Sequence, residues 1–398
     1  MITSKEALSI LEKSIVDFGV ETVRLEQSVN RIIKEDLVTD RPLPPYDRVS
    51  MDGIAIDYQA YLSGQRQFPI QGMAAAGMPK QTLQKPSDCL EVMTGAILPI
   101  GTDTVIPYEH LQIDNGAATI KEEVSPQQNV HVRGQDRASG ETVVVENTRL
   151  SGAEINVAAS VGKPELKVAR LPKIIVISTG DELVAIEEKP LEHQIRRSNV
   201  FSLVTSLQAM GIEADHSHLL DDKASLMSSI GRYVEQYDIL LLSGGVSKGK
   251  LDFIPEVLKE LGVEEKFHRI KQKPGKPLWF GQKSDGTTVF GFPGNPISSF
   301  LCFHRYFLHW LHLSLTGSAP ASRYAKLQKE VVFKKDLTYF QEIALVYQQD
   351  GTLGAIPFKG NGSGDLANLA RTDAFIELPR GKDIFEVGEV YPVYFYRY

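Results

Sequence analysis

Cysteine is scarce in this sequence, and long apolar runs and an excess of positive charge are absent from it. Its 398 residues include only Cys89 and Cys302 as cysteines, too few for a disulfide framework or a cysteine zinc site. No apolar stretch approaches the length of a membrane span. The opening MITSKEALSILEKSI has no basic segment followed by an apolar one, so it does not read as a secretory leader. Lys and Arg number 43 against 50 Asp and Glu, a net charge of −7, whereas a bulk nucleic-acid binder would show a basic face. No glycine run fits the GxxxxGKS/T pattern of a P-loop, no Ser-His-Asp set can be assigned, and neither solenoid repeats nor low-complexity tracts occur. These absences predict a soluble, cytoplasmic chain with no membrane or nucleic-acid partner, long enough for two or three domains.

What is present divides into four blocks. Thr3 and Glu6 have the spacing of a capping box, and Leu8, Leu11, Ile15 and Phe18 repeat at helical period, which predicts an N-terminal docking helix. Pro42, Pro44 and Pro45 then interrupt regular structure. Residues 46–129 hold short β-like runs, with Asp114-Asn115-Gly116 as a hairpin turn, and read as a small β domain inserted into a first domain made of 1–45 and 130–165. Residues 166–318 alternate strand and helix, with continuous apolar runs at 174–178 and 239–242 and apolar faces at Val200, Leu203, Val204 and Leu207 and at Leu226, Ile230 and Val234. That pattern predicts a layered α/β domain on a mostly parallel sheet. Residues 319–398 lose the helical period and read as a small β barrel or sandwich.

In an open α/β sheet, ligands bind beyond the C-terminal strand ends. The loops expected there are polar and glycine-rich: Thr179-Gly180-Asp181-Glu182, Asp221-Asp222, a run from Ser243-Gly244-Gly245 through Ser247 to Asp252, Lys273-Pro274-Gly275-Lys276-Pro277, and Pro293-Gly294-Asn295-Pro296. Any one of Asp181, Asp221 and Asp222 could serve only to cap the next helix. Taken together, the five loops predict a binding site. Glycine loops let backbone N–H groups approach an anion, and Asn295-Pro296 reads as the start of a helix, whose N-terminus attracts phosphate-like groups. Lys273 and Lys276 add cations, while Glu182, Asp221 and Asp252 suit an anion only with a divalent cation between, a role Mg²⁺ fits. Phosphate chemistry with Mg²⁺ at this edge is therefore the expectation. His304, His309 and His312 share one aromatic helix at a spacing that matches no zinc site, and Cys302 reads as core. Arg196-Arg197 reads equally as surface charge or as part of a site.

The ordered set Ser50-Met51-Asp52-Gly53, Met93-Thr94-Gly95-Ala96, Ser178-Thr179-Gly180-Asp181-Glu182-Leu183, Ser243-Gly244-Gly245-Val246-Ser247 with Asp252, Lys273-Pro274-Gly275-Lys276-Pro277 and Pro293-Gly294-Asn295-Pro296 resembles the MoeA family, the molybdopterin molybdenumtransferases, also represented by the E domain of gephyrin. The resemblance covers nearly the whole chain. It implies a multidomain α/β plus β fold: a central MogA-like three-layer α/β domain, the inserted β domain, an elongated N-terminal linking and dimerisation domain, and a C-terminal β barrel. It implies a homodimer that inserts molybdate into adenylylated molybdopterin with Mg²⁺-dependent release of AMP. A MogA-like adenylyltransferase and recipient molybdoenzymes are implied as transient partners. By carry-over, Asp52 and Thr94 from a partner's β domain join Glu182, Asp221 and Asp252, with Asp221 and Asp252 holding Mg²⁺. Lys273 and Lys276 face molybdate, helped by Ser298 and by Ser363. Gly244, Gly245, Ser247, Arg269, Pro293, Gly294, Asn295 and Pro296 contribute to substrate binding.

The chain departs from the family pattern at four places. Arg197-Ser198-Asn199 stands where Asp-Ser-Asn or Asp-Thr-Asn is usual, Lys250 where an acid is usual, and Arg269 where a lysine is usual. Glu342, in Phe340-Gln341-Glu342, aligns with an arginine that the resemblance makes a molybdate contact, and a glutamate there would repel a dianion. Two alternatives stay open at this point: a MogA-like adenylyltransferase that consumes ATP, and a scaffold that binds molybdopterin without turnover.

Overall fold

Runs of Ile, Val and Leu without a polar break need a sheet covered on both faces, and that is where the apolar runs of the third block lie. In the computed structural model, which describes residues 1–246, 252–360, 362 and 364–397, six strands form one sheet. Their order is Ala214–Leu219, Ile174–Thr179, Ile239–Ser243, Thr288–Phe292, Trp279–Gln282 and Glu264–His268. The first four run parallel, with Ile174 opposite both Ala214 and Ile239 and Ser243 opposite Phe292; the last two are antiparallel to their neighbours. Glu264–His268 therefore points the same way as the parallel strands, and the loop after it leaves at the same edge as theirs.

Helices cover both faces. Asn199–Gln208 buries Val200, Leu203 and Leu207, and Gly211, with φ 77°, ends its turn. Lys223–Gln236 buries Leu226, Ile230 and Val234 on the other side. From Pro296 the chain stays helical to Thr316, with a π-helical stretch at Phe303–Phe307, and packs Phe307 and Trp310 against Phe290 and Phe303 against Phe292. The N-terminal helix has its capping box but stops at Glu12. Of the four residues read at helical period, Ile15 and Phe18 lie beyond it; Phe18 still reaches the core, edge-on to Trp310, and Ile15 is exposed. The helix loses its last expected turn because the next residues are tied elsewhere: Val16 N–H is bonded to Ser314, and Gly19, with φ 86°, turns the chain.

The C-terminal block is a barrel. Thr338–Tyr347 pairs with Leu353–Pro357, then come Arg323–Leu327, Val390–Phe395 and Ala374–Leu378, which pairs back onto Thr338–Tyr347. Gln272–Lys273 adds in parallel to Thr338–Tyr347, joining the Lys-Pro-Gly-Lys-Pro loop to the barrel wall.

Two units result: residues 1–22, 30–34 and 167–398, and residues 23–29 and 35–166. The second contains a six-stranded sheet in the order Thr104–Pro107, Gly53–Ile56, Cys89–Val92, Gln67–Ala74, Ala117–Ile120, Leu111–Asp114. Its Leu111–Asp114 and Ala117–Ile120 hairpin turns at Asn115 and Gly116, both at positive φ, as a two-residue turn requires. It also contains the Gly152–Ser160 helix, capped reciprocally by Ser151 and Glu154. No helix among the described residues is long and apolar enough to cross a membrane.

Candidate active site

All five loops reach one cavity of about 830 Å³ at the C-terminal edge of the parallel strands. Thr179, Gly180 and Glu182 come from the first loop, Asp221 from the second, Gly244, Gly245 and Asp252 from the third, Pro277 from the fourth and Pro293–Pro296 from the fifth; Gly364 and Leu366 of the barrel block close another side. A further stretch, 195–200, lines the wall with Arg196, Arg197, Ser198 and Asn199.

Geometry separates the acidic residues into different roles. Asp222 is the helix cap: its carboxylate accepts the Ser225 N–H at 2.8 Å. Asp181 accepts the Asp221 N–H at 3.0 Å, which turns the second loop. The Asp221 carboxyl, used by neither, lines the cavity, and its pKa is raised by burial and then by the charges of Asp181, Glu182 and Asp252. No group of three His, Cys, Asp or Glu among the described residues is arranged as a metal cage. Asp221 and Asp252 together suit an ion that keeps waters and takes phosphate oxygens, as Mg²⁺ does.

Backbone placement explains the glycines. Gly244 has φ 105°, and a Cβ there would lie 2.7 Å from the Thr179 carbonyl oxygen. Only glycine lets the third loop pass this close to the first. Gly275, between the two loop lysines, has φ 82° and would put a Cβ 2.6 Å from Cys302 Sγ. Gln272 ties the same loop down: its Nε2 donates to the Pro274 and Gly275 carbonyls at 3.1 and 3.2 Å, and the Tyr306 hydroxyl donates to its Oε1. Sequence reasoning misses Gln272, because nothing marks one buried glutamine as a loop anchor.

Lys273, Lys276, Arg269 and Ser298 are not among the residues that line the cavity. Lys273 and Lys276 are exposed on the loop whose Pro277 lines the cavity, with Lys273 Nζ 5.8 Å from the Phe333 ring centre. Arg269 sits at φ 71°, rare for a side-chain-bearing residue, with its Nε buried and unpartnered. Ser298 is buried inside the helix that starts at Pro296. Asp52 and Thr94 belong to the second unit. Ser247, Lys250 and Ser363 lie outside the described residues. Sequence reasoning also misses Asn199 as a site residue, although it stands in the Arg197-Ser198-Asn199 motif. Its Nδ2 donates to Ser243 Oγ at 2.9 Å and to the Gly294 carbonyl at 2.8 Å.

Glu342 is buried in the Thr338–Tyr347 strand, and burial together with the Asp365 charge raises its carboxyl pKa. Burial thus acts against the charged form of this carboxyl. His304 is enclosed by Phe300, Phe303 and Tyr396, and burial pushes its ring pKa down to about 3. Cys302 is fully buried.

Comparison with known proteins gives one consistent match along the chain. Residues 2–162 match the MoeA N-terminal region (domain I and II), 175–312 a probable molybdopterin binding domain, and 324–396 the MoeA C-terminal region (domain IV). A molybdopterin molybdenumtransferase of Synechocystis sp. is 41% identical over 99% of this chain and 100% of its own. One from Haemophilus influenzae is 34% identical over 77% of this chain and 76% of its own. The crystal structure of a molybdopterin biosynthesis moea protein from Pyrococcus horikosii superposes with TM-score 0.83, at 28% identity, covering 100% of both chains.

Proposed function

The chain belongs to the MoeA family, and on that premise we propose that it is a molybdopterin molybdenumtransferase of molybdenum-cofactor biosynthesis. It inserts molybdate into adenylylated molybdopterin and releases AMP in a Mg²⁺-dependent step. The observation that supports this most is the make-up of the cavity. Glu182, Asp221 and Asp252 share it with the Gly244-Gly245 loop, the helix start at Asn295-Pro296 and the arginines of the 195–200 stretch. Groups that hold a cation and groups that hold oxyanions thus face one space, as a phosphoanhydride joined to a metal-binding pterin needs.

The roles follow from charge and placement. Asp221 and Asp252 would hold Mg²⁺, which supplies charge neutralisation on the phosphates when bound. A neighbouring cation also offsets the charges of Asp181, Glu182 and Asp252, which after burial raise the Asp221 pKa. Backbone N–H groups of the Gly244-Gly245 and Pro293-Gly294-Asn295-Pro296 loops suit the substrate phosphates. Asn295 heads its helix without spending its side chain on a capping bond. Lys273 and Lys276, with Ser298 and Arg269, are proposed as the groups that receive molybdate, a tetrahedral dianion. Asp52 and Thr94 are proposed as catalytic residues of the second unit. Positioning of molybdate against the pterin sulfurs then supplies much of the rate, and no protein nucleophile is required.

Homodimer formation, and passage of substrate and product between a MogA-like adenylyltransferase and recipient molybdoenzymes, belong to the same reading. The test is reconstitution: purified protein with adenylylated molybdopterin, Mg²⁺ and molybdate should yield a cofactor that activates an apo-molybdoenzyme. Asp221→Ala and Asp252→Ala should each abolish that yield, and full yield from either would refute the assignment of these carboxylates.

A further inference from the structure

We propose that Arg197 binds an oxyanion of the substrate in the cavity, a tetrahedral group held by its guanidinium and by the start of the Asn199–Gln208 helix. This inference rests on the function proposed above and assigns a residue that the family pattern does not supply, since an aspartate is usual at this position.

Arg196 and Arg197 are the cations among the described residues that line the cavity. Arg196 is exposed and its Nε donates to the Glu188 carbonyl at 3.1 Å, outside the cavity loops. Arg197 is half-buried, and its Nε is shut off from solvent with no hydrogen-bond partner. The other N–H donors of the same planar fork are the ones a ligand oxygen in the cavity would meet. Among the described residues no carboxylate lies within ion-pair distance of Arg197. Its side chain is near enough to His218 to help, after burial, to lower that ring's pKa.

The helix start adds to the same wall. Ser198, at the cap position of Asn199–Gln208, makes no side-chain capping bond, and the first turn holds no acidic residue. Ser198, Asn199 and Val200 all line the cavity. An anion placed beside Arg197 therefore meets unspent backbone N–H groups and the positive end of a helix dipole. An aspartate at 197 would oppose both.

The oxyanion has two sources, a phosphate of the adenylylated substrate or molybdate itself, and titration separates them. Binding of AMP and of sodium molybdate to the full-length protein with Mg²⁺ is measured by calorimetry for wild type, R197Q, R197K and R197D. R197Q is expected to lose roughly 10- to 100-fold in affinity for one probe, the range of a hydrogen-bonded charge. R197D should lose more and R197K part. Loss confined to AMP identifies the phosphate, and loss confined to molybdate identifies the metal oxyanion. If wild type binds both probes and R197Q and R197D bind each within about twofold of it, the assignment of Arg197 is wrong while the function above stands. If wild type binds neither, cofactor reconstitution decides: equal yield from wild type and R197Q refutes the Arg197 assignment alone, and no yield from wild type refutes the function. Melting temperature keeps the test clean: should R197Q fail to fold, R197K, which keeps the charge and loses the planar fork, must still show the partial loss.

Discussion

Asn199 and Ser243 are joined side chain to side chain at 2.9 Å, and the same Asn199 amide holds the Gly294 carbonyl at 2.8 Å. One residue at a helix start thereby fixes the end of the Ile239–Ser243 strand and the loop before the Pro296 helix. Three walls of the cavity share this anchor. Replacing Asn199 by Ala removes both bonds at once. The expected cost is about 1–2 kcal/mol, read as a fall of a few degrees in Tm. Turnover should fall more than stability, because the loops that bind phosphate lose their register. Unchanged activity in a destabilised variant would make Asn199 a packing residue only.

Most of this architecture is legible in the sequence because its signals are local and repeated. The 174–178 and 239–242 runs can only be buried strands, and Leu226, Ile230 and Val234 can only be one helix face. The convergence of five loops comes from the sheet rule. Their division of labour does not. Asp181, Asp221 and Asp222 are chemically alike, and only the observed bonds show that Asp222 caps, Asp181 takes a backbone N–H and Asp221 lines the cavity. Gln272 and Asn199 are not legible as anchors because a single amide side chain has no pattern until the chain folds around it. The burial of Glu342, which changes its charge preference, depends on strands far apart in sequence.

Asp221 gives a prediction in both stability and metal response. Its folded pKa is raised, so the ionised form opposes folding. The penalty begins as pH rises past the ordinary carboxylate value and is complete above the folded one. Asp221→Asn removes it, and the metal-free variant should melt higher than wild type at neutral pH, with the difference closing in acid. Mg²⁺ should raise the wild-type Tm and leave the variant unmoved. Equal Mg²⁺ stabilisation of both proteins would place the cation elsewhere.

Glu342 behaves alike for a different reason, burial in the barrel wall beside Asp365. Glu342→Gln keeps the shape and removes the charge. Thermal melts from pH 4 to pH 8 should show wild type losing stability relative to the variant as pH rises through the raised pKa. A constant difference across that range would mean that the carboxyl titrates normally.

The Asp52 carboxylate accepts from Thr94 twice, from its backbone N–H and from its hydroxyl, each at 2.6 Å, and these bonds hold its pKa below the usual aspartate value. Thr94→Val keeps the backbone bond and removes the hydroxyl. The acid limb of the activity profile should then move to higher pH, because Asp52 without that donor keeps its proton to a higher pH. A profile that does not move would leave Asp52 outside the chemistry.

The most direct test of the central claim is AMP release from adenylylated molybdopterin with Mg²⁺, measured with and without molybdate. The account predicts release that depends on molybdate and stops in Asp221→Ala and Asp252→Ala. Tight binding of the adenylylated pterin with no AMP released under either condition would contradict it and identify the chain as a scaffold.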